Sequence, residues 1–157
     1  MTTPAAAFGP HYGDLVWGVL ETFVNYVRAV QGNVILIAPA AETVDGRFRF
    51  PLLGVEGRTA KFGGGVRFVA HGGALTLAIE QPWITTTPGS PHRRLLSVQG
   101  TRATNSEGSR LVFADLHPDN SAVLTPEATV AFDFRYQAGI ALAPVDLAHR
   151  HEDGRNP

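Results

Sequence analysis

Between Gly32 and Gly108 no stretch longer than eight residues is free of glycine or proline. Punctuation that dense admits strands of about four to eight residues and leaves almost no room for helices of roughly ten or more. The segments between the breaks are β-branched, aromatic or alternating, and residues 34–37, 47–50, 66–70, 74–79, 83–87, 94–99 and 111–116 each predict a strand. Asp45-Gly46, ahead of the second, is a hairpin signal because it tolerates the positive φ of a tight turn. Many short strands joined by tight turns predict a mainly β domain of antiparallel sheets, sandwich or barrel-like.

Two segments depart from this pattern. Leu15, Val19, Leu20, Phe23, Val24, Val27 and Val30 recur at three- and four-residue steps, which predicts an amphipathic helix over about 19–30. Gly18 is a weak helix former, so residues 15–17 read as a short preceding strand. Gly32 is placed to end the helix, and Tyr26 falls near its C-terminal end. Near the other terminus, Thr125-Pro126-Glu127 reads as a helix start, since Thr can accept an orphan N–H and proline at the first position loses none. Yet Val130, Phe132, Phe134 and Tyr136 alternate as in a strand. The residues alone leave both forms open there.

At 157 residues the chain fits one domain, which we place at 14–147, with a polar arm over 1–13 and a polar tail over 148–157. With a formal net charge of −1 and no long run of like charge, neither nucleic acid nor an anionic membrane is expected as a partner. The longest apolar run, 34–41, is interrupted by Pro39 and too short to cross a bilayer. The arm holds no Lys or Arg and no apolar run of signal-peptide length. The chain as written therefore reads as cytoplasmic, or as secreted or surface-exposed if Met1 stands where a leader was removed. There is no cysteine, so disulfides, thiolate metal sites and thiol catalysis are excluded. Any metal must be held by oxygen or by imidazole nitrogen.

Three ordered stretches carry a resemblance: LVWGVLETFVNYV at 15–27, VRFVAHGGALTLAIEQPWI at 66–84, and LTPEATVAFDFRYQAGIALAPVDL at 124–147. In their Trp-Gly-Val segment, Phe-x-x-Tyr step, His turn and closing Leu-x-Pro-Val, they resemble the HtaA domain family of haem-binding proteins from bacterial haem-uptake systems. Ala70 stands where that family usually has glycine before the His. The resemblance implies a short C-terminal helix from about Pro126. It also implies that Tyr26 is the iron ligand, that His71 hydrogen-bonds Tyr26 on the same haem face, and that Tyr136 contributes to haem binding. Family members are usually exported or anchored, and neither signal is legible in this chain.

Those residues suit the chemistry. Tyrosine is one of the known axial ligands of haem iron. A free phenol titrates near about 10 and is neutral at pH 7, so it needs help to ionise. Ferric iron favours the phenolate directly, and a neighbouring His donating a hydrogen bond favours it further. The expected function is transport, relay or storage of ferric haem through an axial tyrosinate, with a haem donor or acceptor protein as the partner, and not catalysis. Two other readings stand on the same scaffold: an enzyme acting on an apolar small molecule or using haem with peroxide, and an interaction module that has lost the ligand.

Other motifs are bland. His71-Gly72-Gly73 resembles an esterase oxyanion loop, but no G-x-S-x-G nucleophile turn accompanies it. Gly63-Gly64-Gly65 lacks the Lys-Ser/Thr of a phosphate loop and reads as a bend between strands. Asp115, His117 and Asp119 read as a polar turn rather than a cation site. Arg28, Arg93 and Arg94 are cations of a kind that pairs with propionates, and read by default as solvated charge.

Overall fold

The computed structural model describes residues 13–89, 93–99, 110–132 and 135–148. The expected arm other than Gly13, the tail beyond Ala148, and His11, His92, Phe134, His149 and His151 lie outside the described residues. In chain order the elements are β1 (Asp14–Trp17), α1 (Glu21–Ala29), β2 (Asn33–Ile37), β3 (Ala41–Glu42), β4 (Phe48–Phe50), β5 (Leu52–Glu56), β6 (Thr59–Phe62), β7 (Gly65–Ala70), β8 (Leu75–Thr87), β9 (Arg93–Gln99), β10 (Arg110–Leu116), β11 (Ala122–Leu124), β12 (Ala141–Leu142) and β13 (Val145–Ala148). Two 3-10 segments, His71–Gly73 and Pro126–Phe132, complete it.

Every ladder is antiparallel, as the turn-punctuated sequence predicts. A small sheet runs β13-β1-β4-β3, and a large one runs β12-β11-β10-β9-β8-β6-β5, with β7 on β8 and β2 on β7. The inner faces meet in one aromatic core. Trp17 and Phe48 of the small sheet lie 5.8 and 5.7 Å from Phe113 and Phe68 of the large one, all fully buried. Burying each such side chain contributes about 1.5–3 kcal/mol.

The triple glycine is a bend, as expected: it joins β6 to β7, which pair along successive stretches of β8. Gly64 has φ +83°, and a Cβ there would lie 2.4 Å from the Ala40 nitrogen, so any other residue strains the bend.

Three expectations need correction. The segments 74–79 and 83–87 are one strand, β8, continuous through Gln81 and Pro82. Its register shifts there, and Gln81 turns to φ +47° and donates its N–H to the Gly64 carbonyl at 2.8 Å. A bulge tolerates a proline that a regular ladder would reject. Val19 lies outside the helix, which starts at Glu21; this buried, β-branched residue has φ +64°. Ala148, placed in the tail, is the last residue of β13 and pairs with Asp14.

The C-terminal segment is helical, but of the tighter 3-10 kind. Thr125 caps it as expected, its Oγ1 accepting from the Ala128 N–H at 3.3 Å. The alternation was misleading: Ala128, Ala131 and Phe132 face the core while Val130 faces out. The short strands β3, β5, β6 and β11 to β13 carry no alternating or β-branched run that marks them in the sequence, and β5 contains Gly54.

Candidate functional site

Tyr26 is carried by α1, whose Phe23, Val24 and Val27 are buried while Tyr26 lies on a flank at 43% exposure. The first-turn Glu21 and last-turn Arg28 complement the helix dipole. The helix ends where the sequence predicts, but for a different reason. Gln31, not Gly32, takes the left-handed conformation, at φ +60°. Gln31 donates its N–H to the Arg28 carbonyl at 3.1 Å and Gly32 donates to Val27 at 2.8 Å, the paired bonds of a Schellman ending.

His71 sits at the tip of the hairpin between β7 and β8. His71, Gly72 and Gly73 take φ of +55°, +65° and +96° in succession, closed by the Ala74 N–H donating to the His71 carbonyl at 3.1 Å. A left-handed His costs on the order of 1 kcal/mol. Strain of that kind, held by the surrounding ladder, is found at binding sites.

These two elements bring Tyr26 and His71 together, 45 residues apart in sequence: Tyr26 Oη lies 2.6 Å from His71 Nε2. The ring centroids are 5.8 Å apart and inclined at 54°. Both side chains are exposed to solvent. The arrangement joins a hard anionic oxygen donor, once ionised, to a base within hydrogen-bond distance of its proton. Exposed Val30 and Leu36 add apolar surface on the end of α1 and on β2.

Tyr136 is half-buried and packs edge-on against Phe132 at 5.1 Å; Phe132 in turn meets Phe23 at 5.2 Å, one helical turn before Tyr26. The three tyrosine and histidine positions thus divide into one hydrogen-bonded pair and one tyrosine linked to α1 through core aromatics.

The other candidates are engaged elsewhere. Arg28 pairs with Glu42 at 2.9 Å, Arg93 pairs with Asp115, and Arg94 donates to the His117 carbonyl and to Asn120. Asp119 accepts from the Ser121 N–H and hydroxyl, closing a polar turn as expected. Among the described residues no three His, Cys, Asp or Glu side chains cluster as a metal site, and no helix is long and apolar enough to cross a membrane. Arg110 escaped notice in the sequence. It lies 3.8 Å over the Trp83 ring, with no carboxylate in ion-pair distance among the described residues, and burial lowers its pKa to about 10. Its N–H groups go to Ser97 and to the Gln81 carbonyl, which fastens the β8 bulge.

The HtaA family pattern (Htaa) matches residues 12–148. Three crystal structures from Corynebacterium glutamicum share the fold. The N-terminal domain of HtaA has a TM-score of 0.66 at 23% identity, covering 86% of this chain and 94% of that one. The heme binding protein HtaB has 0.63 at 20%, covering 85% and 90%. The C-terminal domain of HtaA has 0.61 at 20%, covering 85% and 92%. No curated protein matches the chain.

Proposed function

Because the chain belongs to the HtaA family, we propose that it binds ferric haem, with Tyr26 as the axial ligand and His71 as the partner of its phenolate. The observation that carries this reading is the 2.6 Å contact between Tyr26 Oη and His71 Nε2 at an exposed position. The similar HtaB structure is that of a heme binding protein, which supports the reading.

Haem is the cargo, and it brings a ferric centre that favours an anionic oxygen. The phenol of Tyr26 must lose its proton to ligate, and His71 Nε2 is the base in reach. Once protonated, the same nitrogen donates back to the phenolate oxygen and holds it in place. The exposed position of both groups suits a protein that takes up and passes on its cargo. Tyr136, tied to α1 through Phe132 and Phe23, contributes to haem binding. Phenolate stabilises ferric over ferrous iron, so transfer of one electron to the bound haem from an external reductant would weaken the bond.

Spectrophotometric titration with hemin tests this reading. We expect one equivalent to bind with a shifted Soret band, and dithionite to weaken binding. An unchanged hemin spectrum would end the haem reading.

A further inference from the structure

We propose that Gly32 is a positioning residue: it sets the approach of α1 to β7 and thereby the distance between Tyr26 and His71. The role in haem binding rests on the function proposed above, whereas the effect on the pair does not.

The two carriers of the pair meet through the Phe23–Phe68 ring contact and, at the end of the helix, at Gly32. Its N–H donates to the carbonyl of Val27, the residue after Tyr26. On its other side lies the carbonyl of Val69, two residues before His71. A Cβ on Gly32 would lie 2.6 Å from the Val69 oxygen, 2.9 Å from Val27 Cγ1 and 3.0 Å from the Val27 oxygen. Contacts under 3.0 Å are essentially never made by real Cβ atoms. Two of the three neighbours are backbone atoms, one in the last turn of α1 and one in the β2–β7 ladder, where Asn33 pairs with Val69. Neither can swing aside as a side chain can, so the helix end and the strand end must part by several tenths of an ångström.

That shift falls on the pair. Tyr26 and His71 leave the chain on opposite sides of the Gly32 contact, and their hydrogen bond at 2.6 Å is already short. The His71 ring meets Tyr26 at the tip of the hairpin, where nothing beyond the chain neighbours lies within 4 Å of a Cβ placed on Gly72 or Gly73. Separation of the backbones therefore opens the contact.

The conformational reading of this glycine does not apply, because the positive φ at the helix end belongs to Gln31. What the position demands is the absence of a side chain.

The test compares Gly32→Ala with Gly64→Ala. Gly64 is more crowded still, with Ala40 nitrogen 2.4 Å from its notional Cβ and φ at +83°, but it lies at the β6–β7 bend, at the opposite end of β7 from His71. Two readouts are used: the imidazole 15N resonances of His71 in the protein without haem, and hemin affinity. We expect both variants to lose thermal stability. Only Gly32→Ala should move the His71 Nε2 resonance towards its position in Tyr26→Phe, and only it should weaken hemin binding, by about tenfold or more. Should Gly32→Ala fail to fold, the double variant Val27→Ala/Gly32→Ala removes the Cγ1 clash and keeps the Val69 one. It is expected to show the same shift.

The proposal is overturned if the folded Gly32 variant keeps the wild-type His71 resonance, or if Gly64→Ala moves it equally. Failure of the haem reading is distinguishable: wild type then binds no hemin, while the His71 resonance still responds to Gly32→Ala.

Discussion

The indole Nε1 of Trp17 donates a buried hydrogen bond of 2.7 Å to the carbonyl of Ala143, 126 residues away. A second bond, from the Ala143 N–H to the Val19 carbonyl at 2.9 Å, runs alongside. Together they lock the Trp-Gly-Val segment to the Leu-Ala-Pro-Val segment and hold Val19 in its left-handed conformation at the threshold of α1. Trp17→Phe leaves the Ala143 carbonyl buried without that donor and opens space in the core. We expect a loss of about 2–4 kcal/mol in chemical denaturation, with the far-UV spectrum retained. An unchanged midpoint contradicts the role given to this bond.

Gln31→Gly should stabilise the protein. The left-handed conformation at φ +60° costs a glutamine more than a glycine, and the gain exceeds the entropy that glycine adds to the unfolded chain. The expected rise is about 0.5–1 kcal/mol, read from the denaturation midpoint, with hemin binding unchanged. A loss of stability would mean that the Gln31 side chain holds the helix end in another way.

The Asp119 carboxyl is held below the ordinary carboxylate range, first by the Ser121 hydroxyl and next by the Ser121 N–H. Because the folded value is the lower one, the stabilisation is present above the unfolded value and is lost as pH falls through the folded one. Ser121→Ala removes the first cause and should move the Asp119 titration upward, towards that of a free Asp. Carboxyl 13C shifts followed against pH check this, and an unmoved titration in the variant rules it out.

Tyr136 separates packing from binding. Tyr136→Phe keeps the edge-on contact with Phe132 and removes only the hydroxyl, so stability should stay within about 0.5 kcal/mol of wild type. Tyr136→Ala removes the ring and should cost about 1–3 kcal/mol and weaken hemin binding as well. If hemin affinity is the same in all three proteins, Tyr136 is a core-rim aromatic and lines no pocket.

The sheets and the first helix were legible because their signals are local: alternation between Gly and Pro breaks, and three- and four-residue recurrence at Leu20 to Val27. The bulge at Gln81-Pro82 was not, because continuity across it depends on the Gly64 carbonyl and on Arg110, neither of which a local pattern reveals. Residues 130–136 misled as a pattern because Val130 and Phe132, two apart, lie on different faces of a 3-10 segment. Tyr26 and His71 were singled out only through the family resemblance; neither residue is unusual in its own neighbourhood. Their meeting is a tertiary event, made by a helix end and a hairpin tip that the sequence separates by 45 positions. The sequence marks Gly32 as a helix stop, whereas its crowding by Val69 arises only from the pairing of β2 with β7.

Resonance Raman of the ferric hemin complex tests most directly whether Tyr26 is an ionised oxygen ligand. Wild type should show iron–phenolate and phenolate ring modes, Tyr26→Phe should lack them and bind hemin far more weakly, and His71→Ala should keep them with shifted frequencies. Phenolate modes that persist in Tyr26→Phe, or a wild-type spectrum of two imidazole ligands, would contradict it.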